Sequence, residues 1–171
     1  MQSFLPFPGF ADSASVLDPR RLGKQRVEAL QILRGLTVPG YGWRHHPAVK
    51  MWAGYEEALV RYGLEICRAW TAHGRADTCR VTLLRDLANA CDLRDVRSQA
   101  DLGEAGELPP WLGDEALHAS HRSALLRKDP EYYGGLFDEP PDLPYVWPSS
   151  DRKPCGGRPE QLRSRGRVVP E

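Results

Sequence analysis

The helix start at Asp18 and the apolar pattern behind it constrain the fold of this chain more than any other feature. An Asp directly before a Pro is a strong helix start, because the carboxylate accepts hydrogen bonds from the first amides and the Pro has no N–H to lose. The apolar residues that follow recur at helical spacing and share one broad face: Leu22, Ala29, Leu30, Ile32, Leu33 and Leu36. The sequence therefore predicts a long, half-buried helix against which the remaining elements pack.

Charged residues accompany this apolar face. Arg21, Lys24 and Glu28 lie at i, i+3 and i+7, which puts one acid in line with two bases. One interpretation is a surface pair of Glu28 with Lys24, worth only ~0.3–0.5 kcal/mol. The other is a catalytic carboxylate in an anion-binding groove. Arg26 projects among the apolar positions, where a charged side chain needs a partner or a bound anion.

The distribution of charge matters more than its total. The 171 residues include 23 basic and 23 acidic side chains, a balance that ordinarily argues against a nucleic-acid partner. Residues 18–50, however, carry seven cations and two acids, whereas residues 92–115 are acid-rich. The asymmetry permits a basic face on a neutral molecule.

Residues 1–17 predict an ordered N-terminal arm. The prolines of FLPFPGF exclude a regular helix, so we expect an extended segment that ends in a short helical turn over residues 13–17. Chain ends fray unless something fastens them, and Phe4, Phe7 and Phe10 could do so. The arm is either a hydrophobic strap over the core or a device that positions the α-amine for chemistry.

Three further helices complete the predicted fold. One runs from Pro47 to about His73 and is closed by Gly74, the next spans about residues 77–93, and the last begins at Gly113 or Asp114 and stops before Asp129. An irregular connector is predicted before the last helix, and no strand is predicted. Inward positions are Met51, Tyr55, Ala58, Tyr62, Ile66 and Ala69, then Val81, Leu84, Leu87 (or Ala88) and Cys91. The fold class is all-α: a single compact helical domain over residues 1–150, with an irregular Pro/Gly/Arg-rich basic tail over residues 151–171 that could bind nucleic acid nonspecifically.

Two further segments carry residues suited to nucleic acid. Aromatic rings interleaved with cations can stack on bases and hold phosphates. The candidates are Trp43, Arg44, His45 and His46 in the loop after the first long helix, and His118, His121, Arg122 and Lys128 on the last helix. Local hydrogen bonding or a solvated face is the alternative for the histidines.

Nothing in the sequence calls for a metal or an organic cofactor. Adjacent histidines do not easily chelate one ion, and the four cysteines form no CxxC pair, so we expect them to be reduced thiols. The chain shows no apolar run near 18 residues and no signal peptide. We therefore expect a soluble, cytoplasmic, nucleoid-associated monomer.

The segments LGKQRVEALQIL, GWRHHPAVKMW and SHRSALLRKDPEYY, in this order and at these separations, resemble the pyrimidine dimer DNA glycosylase superfamily of the phage endonuclease V type. The resemblance covers about residues 1–133 and is greatest for an actinobacterial branch. It implies an all-α domain in which a glutamate and the N-terminal α-amine share the active site, with Glu28 as the catalytic glutamate. Phosphate-binding arginines would correspond to Arg21 and Arg26, the loop histidine to His45 or His46, and the basic residues of the late helix to Arg122 and Lys128.

The resemblance also implies a mechanism. The amine attacks C1′ of the damaged nucleotide, the base leaves as a Schiff base forms, and the carboxylate assists proton transfer. An α-amine with a pKa of ~7.7–8.0 is partly neutral at physiological pH and can act as a nucleophile. A residue as large as Gln2 normally leaves the initiator methionine in place, so the amine would belong to Met1, and to Gln2 only if the methionine is removed.

The sequence therefore predicts a DNA repair glycosylase, with or without AP-lyase activity, that excises a damaged or modified pyrimidine from duplex DNA. If the amine is not used, Glu28 would activate water instead. Two alternatives stay open: a noncatalytic binder of distorted DNA, and a small nucleoside or nucleotide hydrolase that uses Glu28.

Overall fold

The computed structural model describes residues 1–155, and within them the chain is helical with no strand. The all-α prediction is confirmed. The helices are α1 (Phe10–Ser15), α2 (Pro19–Thr37), α3 (Pro47–Lys50), α4 (Glu56–Ala72), α5 (Cys79–Cys91), α6 (Gln99–Glu104), α7 (Glu115–Lys128) and α8 (Pro130–Tyr133). All but the first five residues of the predicted basic tail lie outside the described residues. None of the helices in residues 1–155 is both long and apolar enough to cross a membrane.

The helix α2 begins where the sequence predicts and lies at the centre of the fold. The Asp18 carboxylate accepts hydrogen bonds from the amides of Arg20 and Arg21 at 2.9 and 3.1 Å. The Tyr133 hydroxyl of α8 donates to the same carboxylate and accepts the Asp18 N–H at 3.0 Å. The apolar face of α2 is buried against α4 and α5. A local cap and a side chain from α8, 115 residues later in the sequence, therefore both fix the position at which this helix starts.

The predicted helix from Pro47 to His73 is wrong, because two helices, α3 and α4, occupy this stretch. The chain turns at Gly54, whose φ of +77° is readily adopted by glycine. The Gly54 N–H donates to the carboxylate of Glu56 at 3.0 Å, which closes the turn. Met51 and Tyr55 on either side of the turn are both buried. Because the turn keeps these side chains facing the core, the apolar pattern looks like that of one continuous helix.

Two details of the middle of the chain differ from the prediction. The helix α5 buries Leu83 and Leu87, whereas Val81, predicted to face inward, is 67% exposed. The connector predicted to be irregular contains α6, which a capping box between Ser98 and Asp101 begins. An Asp replaces the Glu or Gln that usually completes this motif, which is why the sequence pattern did not reveal the helix.

Residues 138–155 form no helix and fold back along α7 towards α3 and α5. Ser123 of α7 accepts the Leu143 N–H at 3.1 Å, and Ser120 accepts the Val146 N–H at 3.2 Å. We call this part of the chain the return segment. It ends at Cys155, which forms a disulfide with Cys91 at the end of α5.

The prediction of four reduced cysteines is wrong for this pair, whereas Cys67 and Cys79 are free. The two bonded residues are 64 positions apart in sequence, yet their Cα atoms lie 5.2 Å apart. That separation is within the usual range for a disulfide. Only the path of the return segment brings the two residues together, so sequence spacing could not indicate the bond.

Candidate active site

A cavity of about 470 Å³ opens where the N-terminal arm meets α2, the end of α7 and the return segment. Its lining residues are Met1, Gln2, Phe4, Arg20, Arg21, Lys24, Gln25, Glu28, Lys128 and Tyr145. Four of them are cationic side chains, and Glu28 is the one acid. Such a cavity favours an anionic ligand and also contains one carboxylate for chemistry.

Side chains of the helices form hydrogen bonds with the backbone of consecutive residues in the N-terminal arm. The Phe4 N–H donates to Gln25 Oε1 at 2.9 Å, and the Tyr62 hydroxyl lies 3.0 Å from the Phe4 carbonyl. The Leu5 N–H donates to His121 Nδ1 at 2.9 Å, and the Leu5 carbonyl lies 2.8 Å from His118 Nδ1. Because Phe4 and Leu5 are also buried, apolar packing holds the arm against the core in addition to these hydrogen bonds. The first residue of the chain is thereby held at the cavity.

The burial of His118 and His121 corrects the prediction that they form an exposed phosphate-binding face, because both are fully buried. The Gly113 N–H donates to His118 Nε2 at 3.0 Å, which leaves the His118 proton on Nδ1 to donate to the Leu5 carbonyl. In His121, Nδ1 is the acceptor, so the proton is on Nε2, which has no hydrogen-bond partner in residues 1–155. The two histidine rings therefore form hydrogen bonds with both the N–H and the carbonyl of Leu5 in the arm.

We expect His121 to make the stability of the fold depend on pH. Burial, and less strongly His118, lowers the pKa of His121 from 6.5 to about 3. Between these values the unfolded chain binds a proton that the folded chain excludes, so stability rises with pH. The His121 contribution should be intact above pH 6.5 and decline by about 1.4 kcal/mol for each pH unit below it.

Urea unfolding of the wild type and of His121→Gln at pH 7 and pH 5 measures this contribution. Gln can still accept the Leu5 N–H but does not titrate, so the variant should lose less stability than the wild type between the two pH values. Carboxylates with a raised pKa, Glu28 and Glu56, act in the opposite direction in both proteins and cancel in the comparison. Equal losses in the two proteins would contradict the prediction.

Glu28 lies inside the cavity and close to the charge of the chain terminus. Burial raises the pKa of Glu28, while the positive charges of the N-terminal ammonium and of Lys24 oppose this rise, as do hydrogen bonds from the Gln25 side chain and the Gln2 backbone. A carboxylate with a raised pKa is a stronger base than an ordinary Glu. The N-terminal ammonium and the Glu28 carboxylate therefore act on each other in one cavity.

Gln25 connects the arm to this carboxylate. Its Oε1 accepts from the Phe4 amide and from the Tyr62 hydroxyl at 2.7 Å, while its Nε2 donates to Glu28. Gln25 was not predicted as a site residue. It lies on the line from Leu22 to Ala29, so a polar residue on the predicted buried face was the available signal.

The predicted cations of α2 differ in their surroundings. Arg21 reaches the cavity but also pairs with Asp18 and Asp129, both at 3.2 Å. Lys24 lines the cavity and forms no ion pair with any described residue. Arg26 pairs with Asp77, and its guanidinium lies 4.3 Å from the Trp70 ring centroid. Arg26 lines a neighbouring groove and not the cavity. The partner that its position among apolar residues requires is therefore a protein carboxylate.

The two basic residues predicted on the last helix, Lys128 and Arg122, also differ in their surroundings. Lys128 lines the cavity. Arg122 instead donates to Glu115, to Glu139 and, at 2.9 Å, to the Pro6 carbonyl of the arm. With these donors occupied, Arg122 braces the arm and the return segment and is a poor candidate for phosphate binding, which corrects the prediction for this residue.

The loop of residues 43–46 lies outside the cavity lining, but one of its members is close to the chain terminus. Burial and the positive charge of the N-terminal ammonium lower the pKa of His46. His46 Nδ1 also caps α3 by accepting the Ala48 N–H at 3.1 Å. Trp43 is 49% exposed and packs edge-on against His46, while Arg44 donates to His45 at 2.9 Å on the surface. Trp43 is therefore the ring in this loop that is free to stack.

Two more cavity residues were not predicted as site residues. Arg20 is exposed on the first turn of α2 and resembled a solvated charge in the sequence. Tyr145 belongs to the return segment, and nothing local in the sequence places it beside Glu28.

Comparison with known proteins found one match. Residues 1–83 match the family model described as Pyrimidine dimer DNA glycosylase. The matched part contains the arm, all of α2 with Glu28, and the loop of residues 43–46. No curated protein and no solved structure matches the chain. The match confirms the family resemblance over the first two sequence motifs, and the third motif, at residues 120–133, lies outside the matched part.

Proposed function

We propose that this chain, which carries the pyrimidine dimer DNA glycosylase pattern over its first 83 residues, removes a damaged or modified pyrimidine from duplex DNA. The observation that supports this most strongly is the shared cavity of Met1 and Glu28, surrounded by cationic side chains. In this proposal the α-amine of Met1 is the nucleophile and Glu28 is the acid–base group.

The reaction proceeds by exchange at the sugar carbon. The neutral amine attacks C1′ of the damaged nucleotide, a C–N bond forms to the amine, and the bond to the base breaks with its electron pair. Glu28 accepts a proton from the amine as this happens and passes a proton to the departing base. The carboxylate also stabilises positive charge that develops on the sugar. The C1′–O4′ bond of this aminosugar then breaks as the nitrogen lone pair forms a C=N bond and O4′ takes a proton, and the imine so formed is the intermediate from which strand cleavage can follow.

The cations of the cavity supply the affinity for DNA. Arg20, Lys24 and Lys128 are not held by carboxylates of residues 1–155 and can pair with phosphates. To reach C1′ the enzyme must open the duplex at a cost of a few kcal/mol, and phosphate contacts offset that cost in a salt-dependent way. Trp43, which packs against His46, provides an exposed ring for stacking.

The geometry favours an enzyme over a noncatalytic DNA binder. A partly desolvated carboxylate in a basic cavity repels phosphate and lowers affinity, so a protein selected for binding alone gains nothing from Glu28. A terminus that takes part in chemistry also explains why several hydrogen bonds hold the first residues of the chain.

Borohydride trapping tests this proposal. The purified protein is mixed with duplexes that carry either a cyclobutane dimer or an abasic site, reduced, and mapped by mass spectrometry. We expect a covalent adduct on Met1 with dimer DNA. An adduct with abasic DNA alone would mean a lyase-competent amine that acts on another modified base. If neither duplex gives an adduct, the imine route is wrong, and base release without trapping would assign the reaction to water activated by Glu28.

A further inference from the structure

A second cluster of reactive side chains lies apart from the candidate active site. Glu56, Cys91 and Cys155 each offer one ligand atom, and these atoms all lie within 4.8 Å of one another. None of the three residues lines the cavity that contains Glu28. They come from three places in the chain: the first residue of α4, the last residue of α5 and the end of the return segment.

Glu56 is the unusual member of this cluster. It is only 5% exposed, and it forms no ion pair with any residue between 1 and 155. Its carboxylate accepts the Gly54 N–H at 3.0 Å, but amide hydrogen bonds do not neutralise its charge. A buried carboxylate without a cationic partner is costly, so a cation at this position would be strongly favoured.

The neighbouring arginines form ion pairs with other acids and do not neutralise the Glu56 carboxylate. Glu57 is paired with Arg97 at 2.6 Å, and Glu107 is paired with Arg152 at 2.7 Å. Glu57, Arg97 and Glu107 of these pairs line a cavity of about 270 Å³ that Glu56 and the two cysteines also line. Every other charge at this cavity therefore has a partner among the described residues.

We propose that Glu56, Cys91 and Cys155, once the cysteines are reduced, bind one thiophilic divalent cation of the Zn²⁺ type. Two thiolates and one carboxylate are three of the four ligands of an ordinary tetrahedral zinc site, with Zn–S distances of about 2.3 Å. Water from the bordering cavity, which all three residues line, would complete the fourth position. Binding releases one proton from each thiol.

The disulfide and the metal site use the same two cysteines in different redox states. In the bonded state neither sulfur is a thiolate, so the oxidised protein has no soft ligand to offer. A dithiol or phosphine reductant supplies the two electrons that break the S–S bond and frees both sulfurs. Cysteine pairs persist as disulfides in oxidising compartments, and in reducing ones they more often hold metals. In either state the end of the return segment, which carries Tyr145 to the candidate active site, is fastened to α5.

Cobalt titration of the full-length protein tests the site. The protein is reduced with a phosphine, freed of excess reductant without air, and titrated with Co²⁺ and then Zn²⁺. We expect one equivalent of Co²⁺ with a thiolate-to-cobalt charge-transfer band and tetrahedral d–d bands, both lost when Zn²⁺ displaces it. Protein left oxidised should show neither. Zn²⁺ should also raise the Tm of the reduced protein and leave that of the oxidised protein unchanged.

Matched variants assign the ligands. Cys91→Ser and Cys155→Ser should each lose the tetrahedral bands, and Glu56→Gln should keep charge transfer but bind Co²⁺ at least about tenfold more weakly. Cys79→Ser, on the same helix as Cys91 and free in the structure, should bind as the wild type does. The proposal is overturned if the reduced wild type takes up no Co²⁺, if it binds without thiolate bands, or if Cys79→Ser loses binding equally. The oxidised–reduced comparison needs no substitution, so it decides the question even if a variant fails to fold.

Discussion

Glu28→Gln is expected to lower the rate of base release from a damaged duplex by about 10²–10⁴-fold, the usual contribution of a positioned acid–base group. The amide can still accept a hydrogen bond from Gln25, so the arm should stay in place. Affinity for DNA should be unchanged or higher, because one negative charge leaves a basic cavity. Single-turnover base release and fluorescence anisotropy on the same duplex measure the two quantities separately.

Glu104→Gln is the matched control, since Glu104 is an exposed acid at the end of α6 that does not line the cavity. It should behave as the wild type in both assays. If Glu28→Gln releases base at the wild-type rate, Glu28 has no catalytic role and the noncatalytic binder becomes the better account. If the wild type releases base from free nucleosides but not from DNA, and Glu28→Gln loses that activity, the substrate is a small nucleoside.

Lengthening the N-terminus by one large residue is expected to abolish borohydride trapping. A Gln inserted between Met1 and Gln2 should leave the methionine in place and move the amine by up to about 3.5 Å, the length of one extended residue. The arm cannot slide to compensate, because the amides of Phe4 and Leu5 are each bonded to a fixed side chain. A shift of even 1 Å can cost about 10²-fold in rate, so the adduct yield should fall by at least that factor.

A Gly inserted at the same position provides the control. A small second residue normally allows removal of the methionine, so the processed chain has its original length and a new amine at the place of the old one. This variant should trap DNA, with the adduct on the inserted Gly, once intact-mass analysis confirms the processing. If the Gln insertion traps as efficiently as the wild type, the terminal amine is not the nucleophile. Loss of trapping with retained base release would point to water as the attacking group.

The sequence by itself determined the position and the exposed chemistry of α2. The Asp18 cap and the apolar period of the helix depend on neighbours within four residues, so local hydrogen bonding and side-chain spacing are enough to predict them. The same period places Lys24 and Glu28 on one flank of the helix. The prolines and aromatic residues of the arm likewise exclude a helix there and predict a fastened terminus, which the buried Phe4 confirms.

Only the tertiary structure decided which polar side chains face solvent and which hold the chain together. His118 and His121 share helical spacing with the basic residues around them, but their partners are the two polar groups of Leu5, more than 110 residues away. Gln25 changes from a helix-surface residue to the link between the arm and Glu28 for the same reason. A hydrogen bond between distant residues depends on how elements pack, and no period along the chain encodes it.

The clustering of reactive groups also required the folded chain. Tyr145 reaches the candidate active site, and Cys155 reaches Cys91 and Glu56, because the return segment is hydrogen-bonded along α7 and then to the turn that follows α3. These hydrogen bonds carry no sequence signature. Local sequence therefore determined where α2 begins and which of its residues share a flank, since those features arise from short-range geometry. Long-range packing determined what else surrounds Glu28, because Met1 and Gln2 come from the start of the chain and Tyr145 comes from the return segment.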